Sequence, residues 1–226
     1  MTTIQKLLFL LPVAYLLGSV PFGLIVARRY GVDPRKAGSG NIGATNVGRL
    51  LGKKVGITVF VLDLLKGLIP TLAASWVVAE QLILTGSAGQ AVYGLWLAVG
   101  FAAIAGHMFS MFLKFKGGKG VATSAGVVLG VWPDYTVAAV VVLAVWAVCF
   151  KVTKIVSLSS IIAAIMFPAA YAGTALVMGR ELFGPRWPLL AFAAVVALMI
   201  VWKHRANIAR LRAGTEHRFG KKAESV

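Results

Sequence analysis

The chain has 226 residues, of which 59% are hydrophobic and 13% are charged, and its mean hydropathy is +0.85. One water-soluble core of this length could not bury so much apolar surface, so the composition excludes a soluble domain and predicts an integral membrane protein. The formal net charge of +16 arises from basic residues between apolar segments and at the C-terminal end, which is typical of membrane topology and argues against nucleic-acid binding.

The first apolar segment runs from about residue 4 to 27 and ends at Arg28 and Arg29. No soluble domain follows it, so we expect a retained membrane span rather than a cleaved signal peptide. The single cysteine, Cys149, lies in an apolar segment, and the three histidines lack the spacing of metal ligands. We therefore expect no disulfide, no metal site and no cofactor.

About 20 apolar residues are needed to span a bilayer, and seven apolar segments approach or reach that length. We predict helices at 4–27, 55–79, 91–113, 121–132, 135–150, 155–178 and 187–203. The fourth is too short to cross the hydrocarbon region in the usual way. The predicted fold class is an all-α integral membrane protein with about seven transmembrane helices, one of them short, in a single polytopic domain over residues 1–226.

The distribution of basic residues predicts the orientation. With the N-terminus outside, 19 of the 23 lysines and arginines fall on the inner side. The C-terminus is then cytoplasmic. This orientation gathers three glycine-rich or polar segments, 38–49, 106–123 and 203–216, on the cytoplasmic face.

The first of these segments, 38–49, reads GSGNIGATNVGR. It combines tight-turn glycines with hydroxyl and amide side chains and ends in Arg49. The hydroxyl, amide and guanidinium groups donate hydrogen bonds well to phosphate. A plain cytoplasmic loop is the alternative, but glycine loops rich in donors commonly cradle anions, so we favour binding.

The second predicted span carries Asp63 and Lys66, and ionisable residues inside a span usually face a partner or a polar cavity. Three residues apart, they share one helix face. They can neutralise each other or contact a substrate, and the sequence leaves both readings open.

The central segment, GHMFSMFLKFKGGKGVATS, places a glycine-rich turn with lysines between two apolar runs. Its glycines can turn successive N–H groups towards one point, and the helix predicted to follow adds the positive end of its dipole. The alternative is a short loop whose lysines only anchor the protein at the membrane. The pattern GxxxxGK[ST] does not fit, so we predict no nucleotide-hydrolysing P-loop. His107 can donate to a substrate or cap a neighbouring carbonyl.

The last segment, KHRANIARLRAGTE, covers residues 203–216. In a helix, His204, Asn207 and Leu211 fall along one stripe, which fits the wall of an active site. A basic tail lying on anionic lipid is the alternative.

These three segments, together with GSVPFG in the first helix and KGLIP in the second, closely resemble the motifs of the PlsY family. This is the family of bacterial membrane glycerol-3-phosphate acyltransferases that use acyl phosphate. The resemblance extends over nearly the whole chain, with the order of the motifs intact.

The resemblance implies transfer of a fatty acyl group from acyl phosphate to the sn-1 hydroxyl of glycerol 3-phosphate, forming lysophosphatidic acid and phosphate in phospholipid synthesis. It implies a multi-pass protein of the bacterial cytoplasmic (inner) membrane whose active site faces the cytoplasm. The implied partners are the two substrates, membrane lipid and a soluble enzyme that produces acyl phosphate.

Carried over onto this chain, the family motifs imply two sets of site residues. The catalytic set is Ser39, Arg49, Lys119 and His204. The set expected to bind substrate or phosphate is Asn41, Gly43, Thr45, Asn46, Lys66, His107, Gly117, Gly118, Gly120, Thr123 and Asn207. Within the second set, the amides of the three central glycines are expected to hold phosphate, and Asn207 is expected to orient glycerol 3-phosphate together with His204.

An acyl phosphate is a mixed anhydride and already activated, so no covalent Ser or Cys nucleophile is needed, and the chain has no GxSxG pattern. We expect direct attack by the glycerol hydroxyl, with positioning and charge stabilisation as the main sources of rate. The proton acceptor stays open between His204, His107 and a phosphate oxygen of the substrate, and we favour the last.

Two other classes of function fit part of the sequence. A transporter of an anionic phosphorylated metabolite would also place glycine loops and buried charge around a polar cavity. A membrane scaffold that recruits an acidic soluble protein would explain the basic face but not the donor-rich segments.

Overall fold

The computed structural model describes residues 1–219, and within that range it is all helical. The helices are α1 (Thr3–Ser19), α2 (Phe22–Arg28), α3 (Ala44–Leu51), α4 (Lys53–Thr85), α5 (Gln90–Met108), α6 (Val121–Gly130), α7 (Thr136–Thr153), α8 (Val156–Val177), α9 (Trp187–Lys203) and α10 (Arg205–Arg212). A 3-10 turn, Met111–Leu113, follows α5. The all-α fold class predicted from the sequence is confirmed.

Within residues 1–219, five segments are long and apolar enough to cross a membrane: α1 with α2, α5 with the 3-10 turn, and the helices α4, α7 and α8. A sixth is obtained when α9 and α10, which meet at a bend of 59°, are counted as one span. Helix α6 has 10 residues, or about 15 Å at 1.5 Å per residue, which is half the thickness of the hydrocarbon region. The number of crossings and their orientation stay predictions, and Lys221 and Lys222 of the charge tally lie outside the described residues.

Each of the seven predicted apolar segments contains a helix, but the first is broken. Helix α1 ends at Ser19 and α2 begins at Phe22, because Pro21 lacks the N–H that would continue the helical hydrogen bonds. The segment predicted as a loop at 38–49 also differs, since its second half forms α3. Gly43 precedes α3 in an extended conformation and accepts the first helical bonds, from the amides of Asn46 and Val47.

The chain divides into two compact units. The first contains Met1–Thr136 and Phe183–Leu189, and the second contains Val137–Leu182 and Leu190–Val226. The single-domain organisation stays a prediction, and each unit is described by itself below.

In the first unit, α1 packs against α5 at unusually short range. A Cβ on Gly18 would lie 2.2 Å from the Ala103 carbonyl oxygen, and one on Gly106 would lie 2.3 Å from the Tyr15 carbonyl oxygen. Only glycine permits this separation between the two backbones. Gly18 and Gly106 therefore allow α1 and α5 to pack closely.

In the second unit, α7 contacts α8 through the indole of Trp146, which donates to the Ser160 hydroxyl over 3.2 Å. The chain after α10 returns towards the α7–α8 connection, where the amide of Phe219 donates to the Lys154 carbonyl over 2.8 Å. This return brings the end of the third predicted motif against the start of α8.

Candidate active site

We call residues 38–49 the donor loop. Hydrogen bonds of the Asn46 side chain hold the conformation of this loop. The side-chain amide of Asn46 lies 2.8–3.1 Å from the carbonyl oxygens of Pro34, Ala37 and Asn41, and its Oδ1 accepts from the amide of Ser39 over 2.8 Å. Asn46 is buried, so both its donors and its acceptor are used within the protein. The structure therefore gives Asn46 the task of holding the loop, in place of the phosphate contact predicted for it.

The other polar residues of the donor loop are nearer to solvent. Ser39 and Arg49 are exposed, and Asn41 and Thr45 are half-buried. Asn41 Oδ1 accepts from the amide of Gly43 over 2.8 Å, an Asx turn that leads directly into α3. The fixed backbone thus presents hydroxyl and guanidinium groups on the outside of the turn.

Residues 114–120, which we call the glycine loop, lie against the end of α5. The amide of Gly117 donates to the Met108 carbonyl over 3.2 Å, and the amide of Gly118 donates to the His107 carbonyl over 3.1 Å. These two amides were expected to hold phosphate, but the structure uses them to dock the loop onto α5. The amide of Gly120 stays a predicted phosphate donor.

The glycines of this loop are needed for close approach. A Cβ on Gly117 would lie 1.9 Å from the His107 carbonyl oxygen, and one on Gly118 would lie 2.3 Å from Nε2 of the same histidine. Gly120 has a φ of +84° and immediately precedes α6. Lys119, which is half-buried, is therefore carried between two tightly constrained glycines.

An apolar cluster connects the donor loop to the 3-10 turn that precedes the glycine loop. Leu24 of α2, Ile42 of the donor loop and Leu113 of the 3-10 turn form this buried cluster. Leu113 directly precedes the glycine loop, so hydrophobic burial holds the donor loop beside the start of the other anion-binding candidate.

Asp63, Lys66 and His107 form a buried ionic cluster. Lys66 Nζ is 2.8 Å from Asp63 Oδ1 and donates to the Val20 carbonyl over 2.9 Å. His107 Nδ1 lies 3.6 Å from the same carboxylate oxygen, which is too long for a hydrogen bond but within the distance of an ionic contact for a protonated ring. All three side chains are at most 4% exposed.

The structure contains the pairing that was one of the two alternatives left by the sequence. Lys66 neutralises Asp63 and donates to the Val20 carbonyl at the break between α1 and α2, while its predicted contact with substrate stays a prediction. Thr123 also differs from the expected phosphate contact, since its buried hydroxyl donates to the Asp63 carbonyl over 2.9 Å.

The C-terminal motif belongs to the second unit and is organised by Glu216. Its carboxylate accepts from the Asn207 side-chain amide over 2.6 Å, from the Ser157 hydroxyl over 2.7 Å and from Arg210 Nε over 2.7 Å. Burial raises the pKa of Glu216, but the three hydrogen bonds and the Arg210 charge outweigh it and hold the pKa below its ordinary value.

His204 stands at the bend between α9 and α10 and is 2% exposed. Its Nδ1 lies 2.7 Å from the Ile200 carbonyl oxygen. Because a carbonyl only accepts, Nδ1 carries the proton, and Nε2 of the neutral ring is the atom able to accept one. Asn207 lies on the next turn, in α10, so the predicted helical stripe is present.

The structure brings the predicted residues of the first unit into two groups. One group lies in the donor loop or α3: Ser39, Asn41, Gly43, Thr45, Asn46 and Arg49. The other lies in or around the glycine loop: Lys66, His107, Gly117, Gly118, Lys119, Gly120 and Thr123. Glu216 was not predicted as a site residue. The signal for it was its place as the last residue of the motif, an acid in an otherwise basic segment.

Comparison with known proteins gives one consistent result. A family model described as glycerol-3-phosphate acyltransferase matches residues 8–214. The glycerol-3-phosphate acyltransferase of Geobacter metallireducens is 46% identical over 213 residues, covering 94% of this chain and 97% of that protein. The glycerol-3-phosphate acyltransferase of Aquifex aeolicus is 42% identical over 227 residues, covering 95% of this chain and all of that protein.

Solved structures agree with the sequence relatives. A crystal structure of PlsY, an integral membrane glycerol 3-phosphate acyltransferase, in its glycerol 3-phosphate form has a TM-score of 0.77 at 43% identity, and the match covers 95% of this chain and 96% of that one. The lysophosphatidic acid form of PlsY has a TM-score of 0.75 at 42% identity, with 95% of each chain covered.

Proposed function

The chain belongs to the glycerol-3-phosphate acyltransferase family, and from that membership we propose that it transfers a fatty acyl group from acyl phosphate to the sn-1 hydroxyl of glycerol 3-phosphate. The products are lysophosphatidic acid and inorganic phosphate. The two bound forms of the related PlsY, with glycerol 3-phosphate and with lysophosphatidic acid, support this acceptor and this product.

The observation that carries the proposal is the apolar cluster of Leu24, Ile42 and Leu113, which connects the donor loop to the residue before the glycine loop. The donor loop carries Arg49, the glycine loop carries Lys119, and both substrates carry a phosphate. Two adjoining basic segments suit a reaction that must hold two phosphorylated molecules at once.

The reaction needs no covalent enzyme intermediate. The sn-1 oxygen forms a bond to the acyl carbon, the bond from that carbon to the phosphate oxygen breaks, and the electron pair leaves with the phosphate. A phosphate oxygen of the acyl phosphate takes the hydroxyl proton, so the leaving group departs as hydrogen phosphate. Positive charge at the site stabilises the oxygens on which negative charge develops.

The side chains proposed to contact the substrates have polar groups at the surfaces of the two loops. Arg49 and Lys119 hold phosphate, and Ser39, Asn41 and Thr45 add hydrogen bonds from the donor loop. The Gly120 amide contributes at the start of α6.

The C-terminal motif supplies the remaining proposed roles. His204 and Asn207 orient glycerol 3-phosphate. The hydrogen bond of His204 Nδ1 to the Ile200 carbonyl supports Nε2 as the ring atom that contacts the acceptor, and Glu216 fixes the amide of Asn207.

The setting of the reaction follows from the charge distribution. We place the protein in the bacterial cytoplasmic membrane with the site towards the cytoplasm, where basic residues accumulate under positive-inside topology. The acyl chain then lies among apolar helices while both phosphates reach the loops. The donor reaches the site from a soluble enzyme that produces acyl phosphate.

Analysis of the reaction products tests the proposed acyl transfer. Purified protein in lipid is supplied with palmitoyl phosphate and labelled glycerol 3-phosphate, and phosphate release and the position of the ester are measured together. We expect one phosphate for each lysophosphatidic acid and an ester at sn-1. An sn-2 ester would overturn the proposed regiochemistry, and uptake of glycerol 3-phosphate into vesicles without any ester would indicate a transporter.

A further inference from the structure

Asp63 lies at the centre of contacts that reach the glycine loop from both of its ends. Its carboxylate is 3.6 Å from His107 Nδ1, and its backbone carbonyl accepts from the Thr123 hydroxyl over 2.9 Å. Asp63 and His107 are both buried, each at most 4% exposed. These contacts are with the protein itself.

The contact before Lys119 runs through His107. Its carbonyl accepts from the Gly118 amide over 3.1 Å, and a Cβ built on Gly118 would lie 2.3 Å from its Nε2. The ring therefore packs closely against Gly118. The Asp63 carboxylate lies 3.6 Å from Nδ1, so a proton on Nδ1 faces a negative charge.

The contact at the end of the loop runs through α6. Thr123 is the third residue of α6, which begins directly after Gly120. Its bond to the Asp63 carbonyl fixes the first turn of that helix against α4. Lys119 thus lies between Gly118, which packs against His107, and Thr123, which is held by the backbone of residue 63.

From these contacts we propose that Asp63 is a positioning residue that sets the place of Lys119 through His107. The inference rests on the proposed function, because it gives Lys119 its phosphate. A competing explanation is that Asp63 only neutralises the buried Lys66, 2.8 Å away. The two explanations predict different results when both charges are removed together.

The first variant is therefore Asp63→Asn with Lys66→Met, which leaves no unpaired buried charge. The second is His107→Gln, and the third combines all three changes. The matched control is Asp134→Asn with Arg186→Met, which removes another ion pair of the same unit, 2.6 Å long, with the Asp134 side chain 7% exposed. The probes are inorganic phosphate binding by calorimetry and acyl transfer from palmitoyl phosphate, with separate kcat and KM values.

We expect the Asp63/Lys66 double variant and His107→Gln each to stay folded and to lose about 10–100-fold in kcat/KM, the size of effect that a displaced site residue produces. The triple variant should lose no more than the worse of the two, because both act through the same loop position. The control should stay within about twofold. Phosphate binding should weaken in parallel.

Three results would overturn the inference. Wild-type kcat/KM in the folded double variant would mean that Asp63 only neutralises Lys66. Losses that multiply in the triple variant would mean that Asp63 does not act through His107. If the double variant does not fold, His107→Gln decides alone, and unchanged phosphate binding and turnover in it would refute the proposal. A wild type that binds phosphate but forms no ester would instead count against the proposed reaction, while the binding data still test Asp63.

Discussion

The side-chain amide of Asn207 donates to Glu216 Oε1 over 2.6 Å, which closes the C-terminal motif on itself. The same carboxylate accepts from Ser157 at the start of α8 and from Arg210 in α10. The Glu216 carboxylate therefore joins the segment after α10 to both α8 and α10. The residue proposed to orient glycerol 3-phosphate depends on that acid for its direction.

The first prediction concerns the pH dependence of stability at Glu216. Its pKa is lower in the folded protein than its ordinary value of 4.5, so its contribution to stability is complete above that value and is lost as the pH falls through the folded pKa. Glu216→Gln should lower the melting temperature at neutral pH. The difference between wild type and variant should shrink as the pH falls below about 4.5.

Thermal unfolding in detergent between neutral pH and about pH 4 measures this difference. Asp33 is a suitable second acid for comparison, because its pKa is lowered chiefly by its hydrogen bond from Arg35 while it lies outside the motif. A difference at Glu216 that stays constant over the whole range would contradict the assigned hydrogen bonds.

A second prediction separates Asn46 from Asn41 in the donor loop. Asn46→Asp removes the donors to three carbonyls and places a carboxylate against them, so it should destabilise the protein by about 1–3 kcal/mol or more. Asn41→Asp keeps the acceptor for the Gly43 amide and should change stability little. Melting temperatures of the two variants test this, and equal losses would show that Asn46 does not shape the loop.

A third prediction concerns Gly118. Gly118→Ala would bring its Cβ within 2.3 Å of His107 Nε2, so the glycine loop or the His107 ring must move, and turnover should fall by about 10–100-fold. Gly94→Ala in α5 is the matched control, since no atom lies within 4 Å of its added Cβ, and it should be neutral or stabilising by up to about 1 kcal/mol. Equal turnover in both variants would mean that the docked loop does not control the reaction.

A fourth prediction concerns the charge of Lys119. Lys119→Ala should fold normally and lose about 100–1,000-fold in kcat, as when a donor that stabilises developing charge is removed. Lys114→Gln is the control, because Lys114 is an exposed lysine of the same loop, and it should retain turnover within about twofold. Comparable turnover in the two variants would remove Lys119 from the site.

Hydrophobic length and motif order were sufficient to predict the helices and the family. Seven apolar segments predicted helices that the structure contains, and the motif resemblance is confirmed by the family model and by relatives at 42–47% identity. These features depend on local composition, which the sequence displays directly. The break at Pro21 within the first segment was not among these predictions.

The partners of individual polar groups could not be predicted in this way. The Gly117 and Gly118 amides resemble phosphate donors in sequence, yet they bond to carbonyls of α5 that the chain reaches only by turning back. Asn46 and Thr123 likewise find carbonyl partners 5 to 60 residues away. Such pairings depend on tertiary packing, which a single sequence does not reveal.

The identity of the acyl donor is the central claim, and one comparison tests it most directly. Purified wild-type protein in lipid is given labelled glycerol 3-phosphate with either palmitoyl phosphate or palmitoyl-CoA, and lysophosphatidic acid is followed over time. We predict product from palmitoyl phosphate alone. Product from palmitoyl-CoA alone would contradict the proposed mixed-anhydride mechanism while keeping the acyltransferase.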